Sequence, residues 1–135
     1  MIPANDKGAG SAEKDMRRIR TGRQGETLAA RFLEKAGYLI VERNYRCLFG
    51  EMDLVARDDR TVVFVEVKTR RSDRFGLPQS SVGLKKQKKL SQVALHYLQQ
   101  RHLSPCEARF DVIAVRIGPE GEGVEHIKNA FDLAL

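Results

Sequence analysis

Four charged side chains stand in two otherwise apolar stretches, Glu51 and Asp53 within residues 50–57 and Glu66 and Lys68 within residues 62–68. Both stretches are rich in β-branched and apolar residues and are separated by the polar run Asp58-Asp59-Arg60-Thr61, the pattern of two strands joined by a turn. Strand side chains alternate faces, so Glu51 pairs in direction with Asp53, and Glu66 with Lys68. A turn centred between Asp59 and Arg60 sets Asp53 opposite Glu66 and Glu51 opposite Lys68, with all four on one face. Two carboxylates directly opposed across strands repel each other. A hard divalent cation relieves that repulsion, because Mg²⁺ takes oxygen ligands and is commonly held by one or two carboxylates with waters and substrate phosphates. A cation that activates water beside a lysine is the equipment of phosphodiester hydrolysis. The bland reading is an exposed salt bridge on an amphipathic hairpin, worth about 0–1 kcal/mol; the apolar character of the strand up to Glu66 weighs against it.

The elements that must position these groups follow from periodicity. A first helix is expected over 21–36, opening on Thr21-x-x-Gln24, which resembles a capping box, and closing at Gly37. Leu28, Ala29, Phe32, Leu33 and Ala36 form its apolar stripe. Glu26 shares an edge of that face, as a group aimed at the site or as an acid favouring the helix N-terminus. A strand over 38–46 precedes the hairpin, giving a three-strand antiparallel meander. Residues 69–80, with three arginines, Gly and Pro, read as a flexible substrate-facing flap. A second helix over 81–101 has Leu90, Val93, Ala94, Tyr97 and Leu98 at buried spacing. That spacing turns Gln87 inward, toward a water, a phosphate or main chain, while its neighbouring lysines fan outward. A strand over 108–117, reached by a helical crossover, is expected parallel to the third. A short strand over 124–128 and a terminal helical turn over 129–133 complete an α/β fold of order α-β-β-β-α-β-β, a mixed sheet of about five strands flanked by two helices.

The 135 residues fit one domain, placed over 21–135, with residues 1–20 read as a disordered or flexible tail. No run is long and apolar enough to span a membrane and residues 1–15 lack the apolar core of a signal peptide, so a cytoplasmic protein is expected. Cys47 and Cys106 stand apart from each other and from any histidine pattern, which argues against zinc. His96, His102 and His126 share no spacing with acids or cysteines and read as structural, as does Asp111 at a strand entrance. The net charge of +6 is clustered, in Lys14, Arg17, Arg18, Arg20 and Arg23 and again in Arg70, Arg71, Arg74, Lys85, Lys86, Lys88 and Lys89. Clusters of this kind are the electrostatic footprint of a polyanion-binding protein, although basic runs are more often merely solvated.

The order of elements, with an acid on the first helix, an acid on the second strand and Glu-x-Lys on the third, resembles the PD-(D/E)xK nuclease superfamily, whose restriction-endonuclease-like core also serves Holliday junction resolvases. Gly25-Glu26, Asn44-Tyr45-Arg46, Gly50-Glu51-Met52-Asp53-Leu54-Val55, Phe64-Val65-Glu66-Val67-Lys68, Phe75-Gly76-Leu77-Pro78 and Arg109-Phe110-Asp111-Val112 resemble more closely the bacterial YraN-like family. The resemblance spans about residues 22–133, and its conjunction of motifs is more specific than Glu-x-Lys alone. It implies a catalytic set of Glu26, Asp53, Glu66, Lys68 and Gln87. Mg²⁺ or Mn²⁺ would be held by Asp53, Glu66 and the Val67 carbonyl, with Lys68 orienting the attacking water. The tyrosine usual four residues after the glutamine is replaced by Ser91, and the proline usual before the first acid by Met52.

The expected function is metal-dependent endonucleolytic cleavage of DNA, branched or otherwise structured DNA included, with the basic residues of 70–89 contacting the nucleic acid. A homodimer would be natural on a symmetric junction. The alternative is a non-catalytic nucleic-acid-binding or partner-binding module that keeps the nuclease fold.

Overall fold

The computed structural model describes residues 4–71, 82–103 and 106–133, with side chains from residue 11 onward. The elements are α1 (Ala4–Lys35), β1 (Leu39–Cys47), β2 (Gly50–Asp58), β3 (Thr61–Arg70), α2 (Leu84–Gln100), β4 (Ala108–Gly118) and β5 (Gly121–Phe131). The strands form one sheet in the order β1-β2-β3-β4-β5, antiparallel except that β4 runs parallel to β3. The α/β architecture expected from the sequence is therefore present, crossover included.

Two apolar layers hold the helices on opposite faces of this sheet. Ala29, Ala30 and Leu33 of α1 pack on Val63, Val65, Ile113 and Val115, all buried. On the other face Leu90, Val93, Ala94 and Tyr97 of α2 pack on Val55, Phe64 and Val112. Each large aliphatic or aromatic side chain so buried contributes about 1.5–3 kcal/mol of transfer free energy. The small residues of α1 let its backbone come close to the sheet. At Gly25 the approach is closest: a Cβ there would overlap the Thr69 side chain of β3.

β5 begins at Gly121 rather than 124 and α2 at Leu84 rather than 81, and two further boundaries depart more from expectation. α1 begins at Ala4 rather than Thr21, so from Ala4 the expected tail over 1–20 is helix. Residues 11–20 are all exposed; packing therefore does not hold this part, and the helical spacing of Glu13 with Arg17 and of Asp15 with Arg18 favours it locally. At the other end, 129–131 extend β5 instead of forming a helical turn. The register slips between Phe110 and Val112, and Asn129 absorbs the slip with a left-handed φ of 52°. Its amide then donates to Asp111 Oδ1 at 3.0 Å. The expected flap over 69–80 falls on β3 as far as Arg70, and from residue 72, including Arg74, lies outside the described residues.

Candidate functional site

The β2–β3 ladder runs from Asp58–Thr61 to Leu54–Val65 in the register anticipated for the hairpin, and the paired positions end there. Asp53 and Glu66 would be the next pair and Glu51 and Lys68 a later one. Instead, the Val67 amide donates to Asp53 Oδ2 at 2.8 Å, so a side chain takes the place of the next strand partner. The facing of β2 changes at this point as well. Val55 packs with the α2 layer and Leu54 with the α1 layer, yet Met52, two residues from Leu54, joins the α2 layer. The simple alternation that put four charges on one face therefore fails at Asp53. Glu51, released from the expected pairing with Lys68, is exposed and lies 3.6 Å from Arg46 of β1.

Asp53 and Glu66 nevertheless meet. The carboxyl of Asp53 is pushed up to about 8 by burial first, then by its hydrogen bond to Glu66 and by the charges of Glu66 and Glu26, against the lowering effect of the Val67 amide. The Glu26 carboxyl is also raised, chiefly by burial, with Glu51 and Glu66 adding to the shift and a hydrogen bond from Asn44 opposing it. Gly25 explains how Glu26 reaches the site: α1 can touch β3 at Thr69 only because no side chain intervenes. Glu26, Asp53, Val67 and Thr69 line a cleft of about 460 Å³ whose other wall includes Arg17 and Arg18 of α1.

Glu66 is 6 % exposed and faces α2 rather than this cleft. Its Oε2 lies 3.1 Å from Lys86 Nζ, yet has no partner in hydrogen-bonding geometry among the described residues. Lys86 had been expected to fan outward onto nucleic acid, with Gln87 turned in. Gln87 is turned in and takes the main-chain alternative, its side-chain amide donating to the Val82 carbonyl at 3.0 Å and tying down the start of α2, while Lys86 is the α2 side chain that reaches the acids. The signal for this was present. Lys86 lies four, seven and eleven residues before Leu90, Val93 and Tyr97, as good a buried stripe as that of Gln87. Lys68 is half-buried on β3 and does not line the cleft; Lys85, Lys88 and Lys89 are at the exposed surface, as are Arg70 and Arg71.

A second polar cluster lies on β4 and β5, with Asp111 level with Val65 of the neighbouring β3. Asp111 is fully buried and accepts from Arg109 Nε at 3.0 Å and the Asn129 amide at 3.0 Å, with His126 Nε2 at 2.7 Å. Arg109 also donates to Tyr38 Oη at 2.6 Å, joining β4 to the start of β1. Burial raises the Asp111 carboxyl, but the hydrogen bonds from His126, Arg109 and Asn129 outweigh it and hold the group below its ordinary value. This is a satisfied structural network, as the sequence suggested for Asp111 and His126.

A hard cation suits the two acids better than a borderline one. Among the described residues no group of three or more His, Cys, Asp or Glu side chains could hold a metal by itself. Mg²⁺ or Mn²⁺ needs less, since one or two carboxylates suffice where water and substrate oxygens complete the shell. A buried carboxylate oxygen without a hydrogen bond, beside a second carboxyl whose ionisation is resisted, is the environment such an ion would relieve.

Together the mixed five-stranded sheet, the helix on each face and the acids at the β2–β3 opening define an α/β protein with a polar centre at the edge of its meander. The chain belongs to the family described as "Uncharacterised protein family UPF0102", the YraN family of the restriction-endonuclease-like superfamily, which it matches over residues 25–115. A UPF0102 protein of Syntrophus aciditrophicus is 58 % identical over 116 residues, spanning 86 % of this chain and 91 % of that protein. UPF0102 protein GSU0650 of Geobacter sulfurreducens is 51 % identical over 114 residues, spanning 84 % and 89 %. The crystal structure of SSO0001 aligns with 92 % of this chain and 57 % of that one, at 19 % identity and a TM-score of 0.37. No helix among the described residues is long and apolar enough to cross a membrane.

Proposed function

We propose that this protein is a Mg²⁺- or Mn²⁺-dependent endonuclease acting on DNA, including branched or otherwise structured DNA. The observation that carries the reading is the buried meeting of Asp53 and Glu66 where the β2–β3 ladder stops, with one Glu66 oxygen left without a hydrogen bond among the described residues. Asp53, Glu66 and the Val67 carbonyl would hold the ion, which when bound supplies charge neutralisation at the phosphate and acidifies water. Glu26, in reach of both acids by its electrostatic influence, would contact the ion through water or serve a second one. Lys68, two residues along β3 from Glu66, would orient the attacking water and stabilise charge developing on the phosphate. The Val67 amide fixes the Asp53 carboxylate in place before any ligand arrives.

One observation favours a second reading, a nucleic-acid-binding module without turnover. The Lys86 ammonium already supplies a positive charge to Glu66, so the acid pair has a compensating partner within the chain. Incubation of the purified protein with branched, flapped and single-stranded DNA in Mn²⁺ separates the two. Cleavage by wild type that is lost in Asp53→Asn and Lys68→Ala supports the nuclease; equal behaviour of wild type and variants, together with no heat of Mn²⁺ binding, supports the module.

A further inference from the structure

The N-terminal half of α1 overhangs the sheet, and its charges are in phase with the candidate site. Lys14, Arg17, Arg18, Thr21 and Gly22 all line the cleft that ends at Glu26 and Asp53. Their positions are one helix face at the spacing i, i+3, i+4, i+7, i+8, and the face continues into Gly25, Ala29 and Leu33, which are buried against the sheet. Three of the five cations between residues 14 and 23 thus stand on the face that lower down becomes the packing face, while Arg20 and Arg23 do not line the cleft. Arg71, just beyond the end of β3, adds a further positive charge to the cleft.

Gly22 supplies an independent observation. A glycine inside a helix costs about 1 kcal/mol relative to alanine, and at Gly25 a close contact accounts for it. At Gly22 nothing among the described residues lies within 4 Å of where a Cβ would stand. Packing among the described residues does not explain this glycine, whereas close approach of a ligand along the cleft does.

We propose that this cleft is a nucleic-acid backbone track, in which Lys14, Arg17, Arg18 and Arg71 bind the phosphates of the strand whose next phosphate is delivered to Glu26 and Asp53, where the cleft ends. The proposal rests on the nuclease reading of those acids for its direction, but not for binding itself. From Lys14 to Glu26 the helix rises about 18 Å, roughly five phosphates of one strand at 3.4 Å of axial rise each. The overhanging helix is thus an arm that sets where along a strand the acids act, with the acids at its inner end excluding phosphates unless a cation accompanies them.

The test is fluorescence anisotropy of a labelled single-stranded DNA oligonucleotide over a range of salt concentrations, without divalent metal. The variants are the triple Lys14→Gln, Arg17→Gln, Arg18→Gln and, with equal loss of charge outside the cleft, the triple Arg20→Gln, Arg31→Gln, Lys35→Gln. Each phosphate contact contributes about 0.7 to the slope of log affinity against log salt for a single strand. The cleft triple is expected to lose about 2 from that slope and to bind at least tenfold more weakly at 0.1 M salt, while the control triple changes the slope by less than half as much. Gly22→Leu, which keeps every charge and improves helix propensity, is expected to weaken binding through bulk alone. Equal effects of the two triples, or unaltered binding by Gly22→Leu, would overturn the track. If the track passes and no cleavage occurs in Mn²⁺, only the nuclease reading fails; if cleavage depends on Asp53 while the cleft triple binds and cuts like wild type, only the track fails.

Discussion

Gly25 of α1 and Thr69 of β3 are in contact so close that a side chain on the glycine would occupy the position of the threonine hydroxyl. This contact sets the distance of Glu26 from the sheet, because Glu26 is the next residue on the helix.

Gly25→Ala is therefore expected to destabilise the protein by about 1–3 kcal/mol, the usual cost of overpacking, despite alanine's better helix propensity. Urea denaturation gives the value. Combined with Thr69→Ala, which removes the overlapping Oγ1 and Cγ2 but leaves Thr69's own Cβ position crowded, the loss should be partly restored. A strictly additive double variant would show that the two residues do not press on each other.

The paired acids make a prediction about pH. Asp53 is raised in the folded protein to about 8 from an ordinary 3.8, so between those values the folded state holds a proton that the unfolded chain has released. Linkage then makes the metal-free protein lose stability as pH rises through that window, the opposite sign from a salt-bridged aspartate. Asp53→Asn keeps an acceptor for the Val67 amide and offers Glu66 a donor without a charge. It is expected to raise stability at pH 8 by about 1–3 kcal/mol and to flatten the fall between pH 5 and 8. Thermal unfolding in chelator at a series of pH values measures both; a wild-type curve that rises over this range would contradict the buried pair.

Much of this arrangement was readable in the residues. Alternating and continuous apolar runs gave all five strands and the register of the β2–β3 hairpin, since Leu54–Val65 and Asp58–Thr61 are the pairs that a turn at Asp59-Arg60 demands. The parallel placement of β4 followed from the crossover. What alternation could not show is where a ladder stops. The Val67 amide takes the Asp53 carboxylate instead of a main-chain acceptor, and side chain to backbone competition of that kind leaves no trace in a hydrophobic pattern. The extension of β5 to Phe131 was hidden for a similar reason, because Asn129 is ordered by a buried carboxylate on a neighbouring strand. The exposed half of α1 offers periodicity only Ala12, Met16 and Ile19, a short stripe that nothing buries, so the main signal used was weak there.

The Asp111 cluster should govern acid stability. Its folded value lies below the ordinary 3.8, so its contribution is complete above about pH 4 and is lost as pH falls through the lowered value. Asp111→Asn leaves Arg109 with Asp58 as its remaining carboxylate and weakens the bonds from His126 and the Asn129 amide, and is expected to cost about 1–3 kcal/mol near neutral pH. The same variant should show a shallower loss of stability between pH 4 and 2 than wild type, which urea titrations at those pH values would reveal. Equal acid slopes would show that Asp111 is not held ionised by these partners.

Lys86 decides how the acid centre responds to metal. Its ammonium stands 3.1 Å from Glu66 Oε2, while the side chain is about half exposed, so the attraction is screened and worth about 1 kcal/mol at most. A divalent ion at Asp53 and Glu66 must share Glu66 with that ammonium or displace it, and either way the lysine opposes the ion by like-charge repulsion. Lys86→Gln is accordingly expected to tighten Mn²⁺ binding by about fivefold, the equivalent of about 1 kcal/mol, in calorimetric titration. Weaker Mn²⁺ binding in Lys86→Gln would show instead that the lysine organises Glu66 for the ion. No Mn²⁺ binding by either protein would leave Lys86 as the resident cation of a centre that does not take a metal.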